Sequence, residues 1–410
     1  MSLPPSAVAV ESAARESYSQ LITWLAVRAD GDLVGAEDAL SEAFVAALKQ
    51  WPREGIPDHP NAWLLQTARR RLIDGQRRAH TRRKMEDAIS HAIETAALGT
   101  EDGNDFPDER LKLLFVCAHP AIDPSARAPL MLQTVLGMEA ERIAAVFLTS
   151  PTAMSQRLVR AKTKIRDARI PFRIPERTEW NERLEFVLDA VYAAYTTGRN
   201  TCDSLADEAL WLARALVHLI PDEPEALGLL SLILHNQARR DARVVDGMYV
   251  PLPEQDTQLW DGPMQQEAEA MLHLASIGEC PGRYQLEAAI HSVHASRANY
   301  GTTHWIAIAA LYDMLVQHTP ALGAAIGRSI AHGKVSGPEK GLLLLDELPA
   351  SSLANHLPYW AARAHLLAEV NRLGESSLAF QKAIGLSIDP TMKEYLWKKL
   401  RELQIGMDHP

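Results

Sequence analysis

Apolar residues return every three to four positions along nearly the whole chain, the spacing that lines one face of an α-helix. Between residues 10 and 84 this rhythm breaks only at Gly55-Ile56-Pro57-Asp58-His59-Pro60-Asn61, which predicts a loop between two helices. Residues 85–107 start in helical register and end in Gly99-Thr100-Glu101-Asp102-Gly103-Asn104, a polar run expected to be a flexible linker. The helical pattern resumes over 108–170, and Pro171 closes it. From Pro175 onward, Pro and Gly at intervals cut a helical pattern into hairpins. The expected architecture is all-α, with domains at 10–84, 108–172 and 175–410 and a linker at 85–107.

Composition supports this. Aromatic residues make up only 6% of 410 positions, and a chain dominated by Ala and Leu favours helix packed on helix. No apolar run reaches the ~18 residues of a transmembrane helix. Met1 to Glu16 lacks the basic start and long apolar stretch of a secretory signal. Cys117, Cys202 and Cys280 are scattered outside any CxxC spacing, which argues against a disulfide framework or a structural zinc site. A cytoplasmic protein is expected.

Charge changes the picture. Residues 1–173 hold 23 basic and 22 acidic residues, whereas 174–410 hold 19 and 30, a net of −11. Eight cations against the single anion Asp74 lie between Ala68 and Lys84, and seven against Asp167 lie between Pro151 and Arg173. Two basic stripes on an otherwise acidic chain suggest two nucleic-acid contacts, with solvated helix faces as the alternative.

Three segments carry the candidate chemistry. In the first, Gly137 to Phe147 predicts a helix with Ile143, Ala144 and Phe147 inward, and Ser150-Pro151 predicts the cap and first residue of another. Met154, Leu158 and Ala161 face inward in that second helix. Ser155, Gln156, Arg157, Arg160 and Lys162 lie off that face, the layout of a helix-turn-helix whose second helix enters the major groove. In the second, Asn61 is expected to cap a helix with Leu64, Leu65, Ala68, Leu72 and Ile73 inward. Arg69, Arg70, Arg77 and Arg78 then project towards phosphates, and Trp63 is either a core residue or a stacking platform. In the third, Ala36 to Leu48 predicts an amphipathic helix with Glu37, Asp38 and Glu42 on its acidic side.

In chain order the three segments resemble the extracytoplasmic-function class of sigma-70 family sigma factors, the promoter-recognition subunits of bacterial RNA polymerase. The resemblance spans about residues 10–170. It implies that Ala36-Glu37-Asp38-Ala39-Leu40-Ser41-Glu42-Ala43-Phe44 belongs to region 2 and contacts core polymerase through Glu37, Asp38, Leu40 and Glu42. It implies that the helix holding Asn61, Trp63, Arg69, Arg70, Arg77 and Arg78 melts promoter DNA, and that 108–172 is region 4, reading the upstream element. One departure is Arg70, which stands where an Asn is common, so base preference there is not carried over. Residues 175–410 resemble the extension of a subgroup with tetratricopeptide-like repeats, thought to stand in for a separate anti-sigma protein.

Within that extension, Trp360, Leu367, Ser376, Phe380 and Ala383, with Asn371 at the turn, fit one ~34-residue unit, and Ile308, Tyr312, Leu315 and Pro320 fit an earlier one. An irregular bundle is the alternative. Tyr249 to Asp261 is a Pro-rich segment expected to be a crossover loop or a docking element, with Asp256 capping the following helix. His291, His294 and His304 lack further ligands at metal spacing, so neither metal nor cofactor is expected. With no phosphate-binding loop or nucleophile motif in 175–410, no enzyme is expected. The expected partners are core RNA polymerase, promoter DNA and a protein held by the repeats, with no membrane. The alternative is a free-standing helix-turn-helix regulator with a sensing repeat domain.

Overall fold

The computed structural model describes residues 4–29, 32–83, 109–180, 182–199, 205–277, 280–319, 321–349 and 353–408. The chain divides into two compact units, 1–212 and 213–410. The expected linker, and Cys202, lie outside the described residues.

Unit 1 begins with α1 (Pro5–Glu16), α2 (Tyr18–Arg28), α3 (Leu33–Glu54) and α4 (Pro60–Arg83). Asp32 caps α3 by accepting from the Gly35 backbone at 3.1 Å. The stripe Ala36, Ala39, Leu40, Ala43 and Ala47 is buried, and its small side chains let α3 and α4 approach closely. Leu64, Leu65 and Ala68 of α4 close that core, and Trp63 meets Trp51 edge to face at 5.6 Å. Gly55 leaves α3 at φ 92°, a left-handed conformation that glycine adopts without strain, and the predicted loop follows.

Unit 1 continues with α5 (Arg110–Cys117), α6 (Pro124–Thr134), α7 (Ala140–Val146), α8 (Pro151–Asp167), α9 (Leu184–Gly198) and the start of α10 (Leu205–Leu219). Asp123 caps α6 at 2.8 Å from the Ser125 nitrogen. Arg127 donates to the carbonyls of Ile122 and Pro120 and lies over the Phe186 ring at 4.4 Å, so α9 covers α6. The compact unit thus runs past Pro175, where the charge and pattern shift had suggested a boundary.

Unit 2 holds the rest of α10 and α11 (Pro224–Gln237), then a two-stranded hairpin, β1 (Val244–Val245) and β2 (Met248–Tyr249). Its turn is Asp246-Gly247, both at positive φ, the backbone that matches strand twist in a two-residue hairpin. Then come α12 (Gly262–Ala275), α13 (Arg283–Ala295), α14 (Arg297–Tyr300), α15 (Trp305–His318), α16 (Leu322–Ser336), α17 (Pro338–Asp346), α18 (Leu357–Glu369), α19 (Leu373–Leu386) and α20 (Pro390–Asp408). Sequential helices pack as neighbours, notably α15 with α16 and α18 with α19. Ser376 is fully buried and donates to the Ala364 carbonyl at 2.8 Å, and Asn371 makes the α18–α19 turn at φ 61°. The expected all-α class holds, with the hairpin as a local exception.

The Tyr249–Asp261 segment is packed. Tyr249 meets Tyr395 edge to face at 5.7 Å, Trp260 is buried, and Arg297 donates to the carbonyls of Leu252 and Gln255. Asp256 caps only the short turn Thr257–Leu259; Asp261 caps α12. Such anchoring fits a crossover loop.

Candidate nucleic-acid interface

α7, a short turn and α8 form the predicted helical hairpin. The Ser150 hydroxyl accepts from the Ala153 nitrogen at 3.2 Å, and Pro151 is the first helical residue. Met154, Leu158, Ala161 and Ile165 are buried, which fixes the rotation of α8. Ser155, Gln156 and Arg160 are exposed on the other side. Arg160 folds back along the helix, its Nε donating to the Gln156 carbonyl at 3.3 Å. Arg157 is half-buried and donates to the Ser125 carbonyl at 3.3 Å, so it ties α8 to the start of α6.

Lys162 departs from expectation. It is 7% exposed and pairs with Glu37 of α3, because its long aliphatic stem follows the inward face and a carboxylate waits at the end. The pair joins one residue expected to meet DNA with one expected to meet polymerase. Glu37 also lies near Tyr18, whose hydroxyl is pushed up to about 12, first by burial and then by that carboxylate.

On α3, Asp38 and Glu42 are exposed, and Glu42 pairs with Arg71 at 3.2 Å. Leu40 is fully buried, a core residue rather than an exposed contact, since it falls on the alanine stripe. Val45 is 49% exposed on the same side as Asp38 and Glu42 and was missed in the sequence, where it reads as part of the apolar face.

On α4, Arg70 is exposed and Arg69 half-exposed. Asn61 is not the cap, because Pro60 already begins the helix; its side-chain nitrogen instead donates to the Ser17 hydroxyl at 2.9 Å. Trp63 is half-buried against Trp51. Arg77 and Arg78 fall within α4, but their side chains lie outside the described residues.

In unit 2 the three histidines have structural partners. His294 meets Trp305 edge to face at 5.5 Å, His291 contacts Arg239 at 3.0 Å, and His304 caps α15. Among the described residues, no group of three or more His, Cys, Asp or Glu could hold a metal ion, and no helix is long and apolar enough to cross a membrane.

The chain is 36% identical over 380 residues to "Uncharacterized protein R00370" of Rhizobium meliloti, covering 90% of each. Residues 15–83, which span α2 to α4, match sigma-70 region 2. The chain therefore carries a sigma-70 region 2 and belongs to one family with the Rhizobium protein. It is also 27% identical over 162 residues to "Probable ECF RNA polymerase sigma factor SigI" of Mycobacterium tuberculosis, covering 39% of this chain and 55% of that protein. Beyond region 2, residues 183–276 match a family of unknown function, DUF6596. No solved structure matches the chain.

Proposed function

We propose that this chain directs core RNA polymerase to specific promoters and starts transcription there, with residues 175–410 modulating the activity. The observation that carries this is the capped helix α8, whose Ser155, Gln156 and Arg160 stand exposed, in the same chain as a sigma-70 region 2. In this reading those three side chains meet base edges and phosphates of the upstream element, and Arg157 positions the helix. Arg69, Arg70, Arg77 and Arg78 of α4 hold the strand being separated, with Asn61 and Trp63 at the start of that helix. Asp38 and Glu42, with Val45 beside them, form the polymerase-facing side of α3. Bond making is left to the polymerase; the protein recognises and separates strands.

The α18–α19 pair, with Ser376, Phe380 and Ala383 buried and the turn at Asn371, supports a tetratricopeptide-like unit suited to a protein partner. The net charge of −11 over 174–410 favours a basic partner surface.

The test is reconstitution of the full-length chain with purified core polymerase. Co-elution with core and transcription from a selected set of promoters are expected. Sequence-specific binding to an operator without polymerase, and no co-elution, would replace this reading with that of a free-standing regulator.

A further inference from the structure

α8 presents one apolar side chain in the middle of its polar exposed face. Val159 is 61% exposed, although the inward positions of the helix are already filled by Met154, Leu158 and Ile165. At 3.6 residues per turn it lies one turn from Ser155 and Thr163 and beside Gln156, on the side away from the core. A β-branched residue at a solvent position lowers helix propensity, and here most of its surface stays in solvent. Its neighbours are hydrogen-bonding groups. Ser155 and Gln156 can donate and accept and Arg160 can only donate, so their polar ends read a base edge by hydrogen bonds.

We propose that Val159 is a specificity-determining residue that packs against the C5-methyl group of a thymine in the upstream promoter element. This rests on the reading of α8 as the promoter-reading helix. In the major groove the thymine methyl is the one apolar feature of the base-pair edges, and aliphatic side chains recognise it by contact. Gln156 and Arg160 lie to one side of Val159 on the same exposed face, within reach of neighbouring base pairs. Val159 thus adds to the hydrogen-bonded readout a distinction between thymine and cytosine, which bears no methyl.

The experiment uses holoenzyme assembled from the full-length chain and core polymerase, on a promoter obtained by selection. Each thymine of the upstream element is replaced singly by deoxyuridine, which removes the methyl and keeps every hydrogen bond. One position is expected to lose about fourfold in affinity, the worth of one buried methyl-sized group. Val159→Ala should bind thymine and deoxyuridine equally there, and Val159→Ile should keep the preference. Circular dichroism of both variants should match the parent. If Arg160→Ala weakens binding but no deoxyuridine effect depends on residue 159, Val159 is not a reader while α8 still is. If Arg160→Ala and Gln156→Ala also bind like the parent, the reading of α8 itself falls, and this inference with it. An upstream element without thymine under α8 overturns it equally.

Discussion

Lys162 Nζ donates to Glu37 Oε1, joining α8 to α3 across 125 residues of sequence. Lys162 is nearly enclosed and Glu37 keeps some contact with water. Removing the carboxylate leaves a buried ammonium without its anion. We expect Glu37→Ala to destabilise unit 1 by roughly 3 kcal/mol, the low end for breaking a buried pair. The reversed pair, Glu37→Lys with Lys162→Glu, should recover part of that loss in urea unfolding. A reversed pair no more stable than the worse single variant would refute the coupling.

Arg160 donates to the Gln156 carbonyl of its own helix, so Arg160→Ala should leave the fold intact. Binding to the upstream element should weaken by ~1–3 kcal/mol, the range of a good base or charge-assisted contact. Promoter-specific transcription equal to that of the parent would show that this face does not read DNA.

The crossing of α11 over α13 depends on Gly228. A Cβ there would stand 2.7 Å from the Gln285 backbone nitrogen. That nitrogen and its neighbour at Tyr284 also donate to the Glu225 carboxylate, so the backbone has little freedom to retreat. Gly228→Ala should cost about 1–3 kcal/mol through overpacking, read as a lower urea midpoint, whereas Gly262→Ala meets nothing and serves as the control.

Unit 2 should lose stability in mild acid. Burial first, then neighbouring Arg239, pushes His235 down to about 3; burial with Arg239 and Arg297 brings His294 to about 4; and burial with Lys399 does the same for His365. Glu269 lies 3.5 Å from His235 but is half exposed, and burial outweighs it. Each imidazole binds its proton more weakly folded than unfolded, where the value is near 6.5. Between pH 6.5 and 4 the unfolded chain therefore takes up more protons, and stability falls as pH falls. By pH 5 each site should contribute on the order of 2 kcal/mol of loss. An unfolding midpoint unchanged between pH 7.5 and 5 would contradict this, and His365→Gln should flatten the dependence.

What could be read from the sequence follows the range of the forces involved. Ser150 and Pro151 act through bonds within one helical turn, and their cap was legible. The inward face of α8 was legible for the same reason, since Met154, Leu158 and Ala161 obey one local period. Lys162 was not, because a lysine is buried only when a distant carboxylate meets it, and Glu37 is distant in sequence. Leu40 belongs to the stripe with Ala36, Ala43 and Ala47, a periodicity that outweighs its acidic neighbours. Asn61 resembles a cap, but Pro60 starts the helix one residue earlier and frees the amide to reach Ser17. The hairpin was announced by Asp246-Gly247 between Val-Val and Met-Tyr, a signal overlooked within a long helical pattern.

The cover of α6 by α9 bears on where such a chain can be cut. The segment 183–276 matches a family of its own, yet Phe186 within it supplies the ring beneath Arg127, and Arg110 of α5 lies over Trp211 at 4.2 Å. A cut near residue 175 would therefore strip two cations of their aromatic partners and expose apolar surface within unit 1.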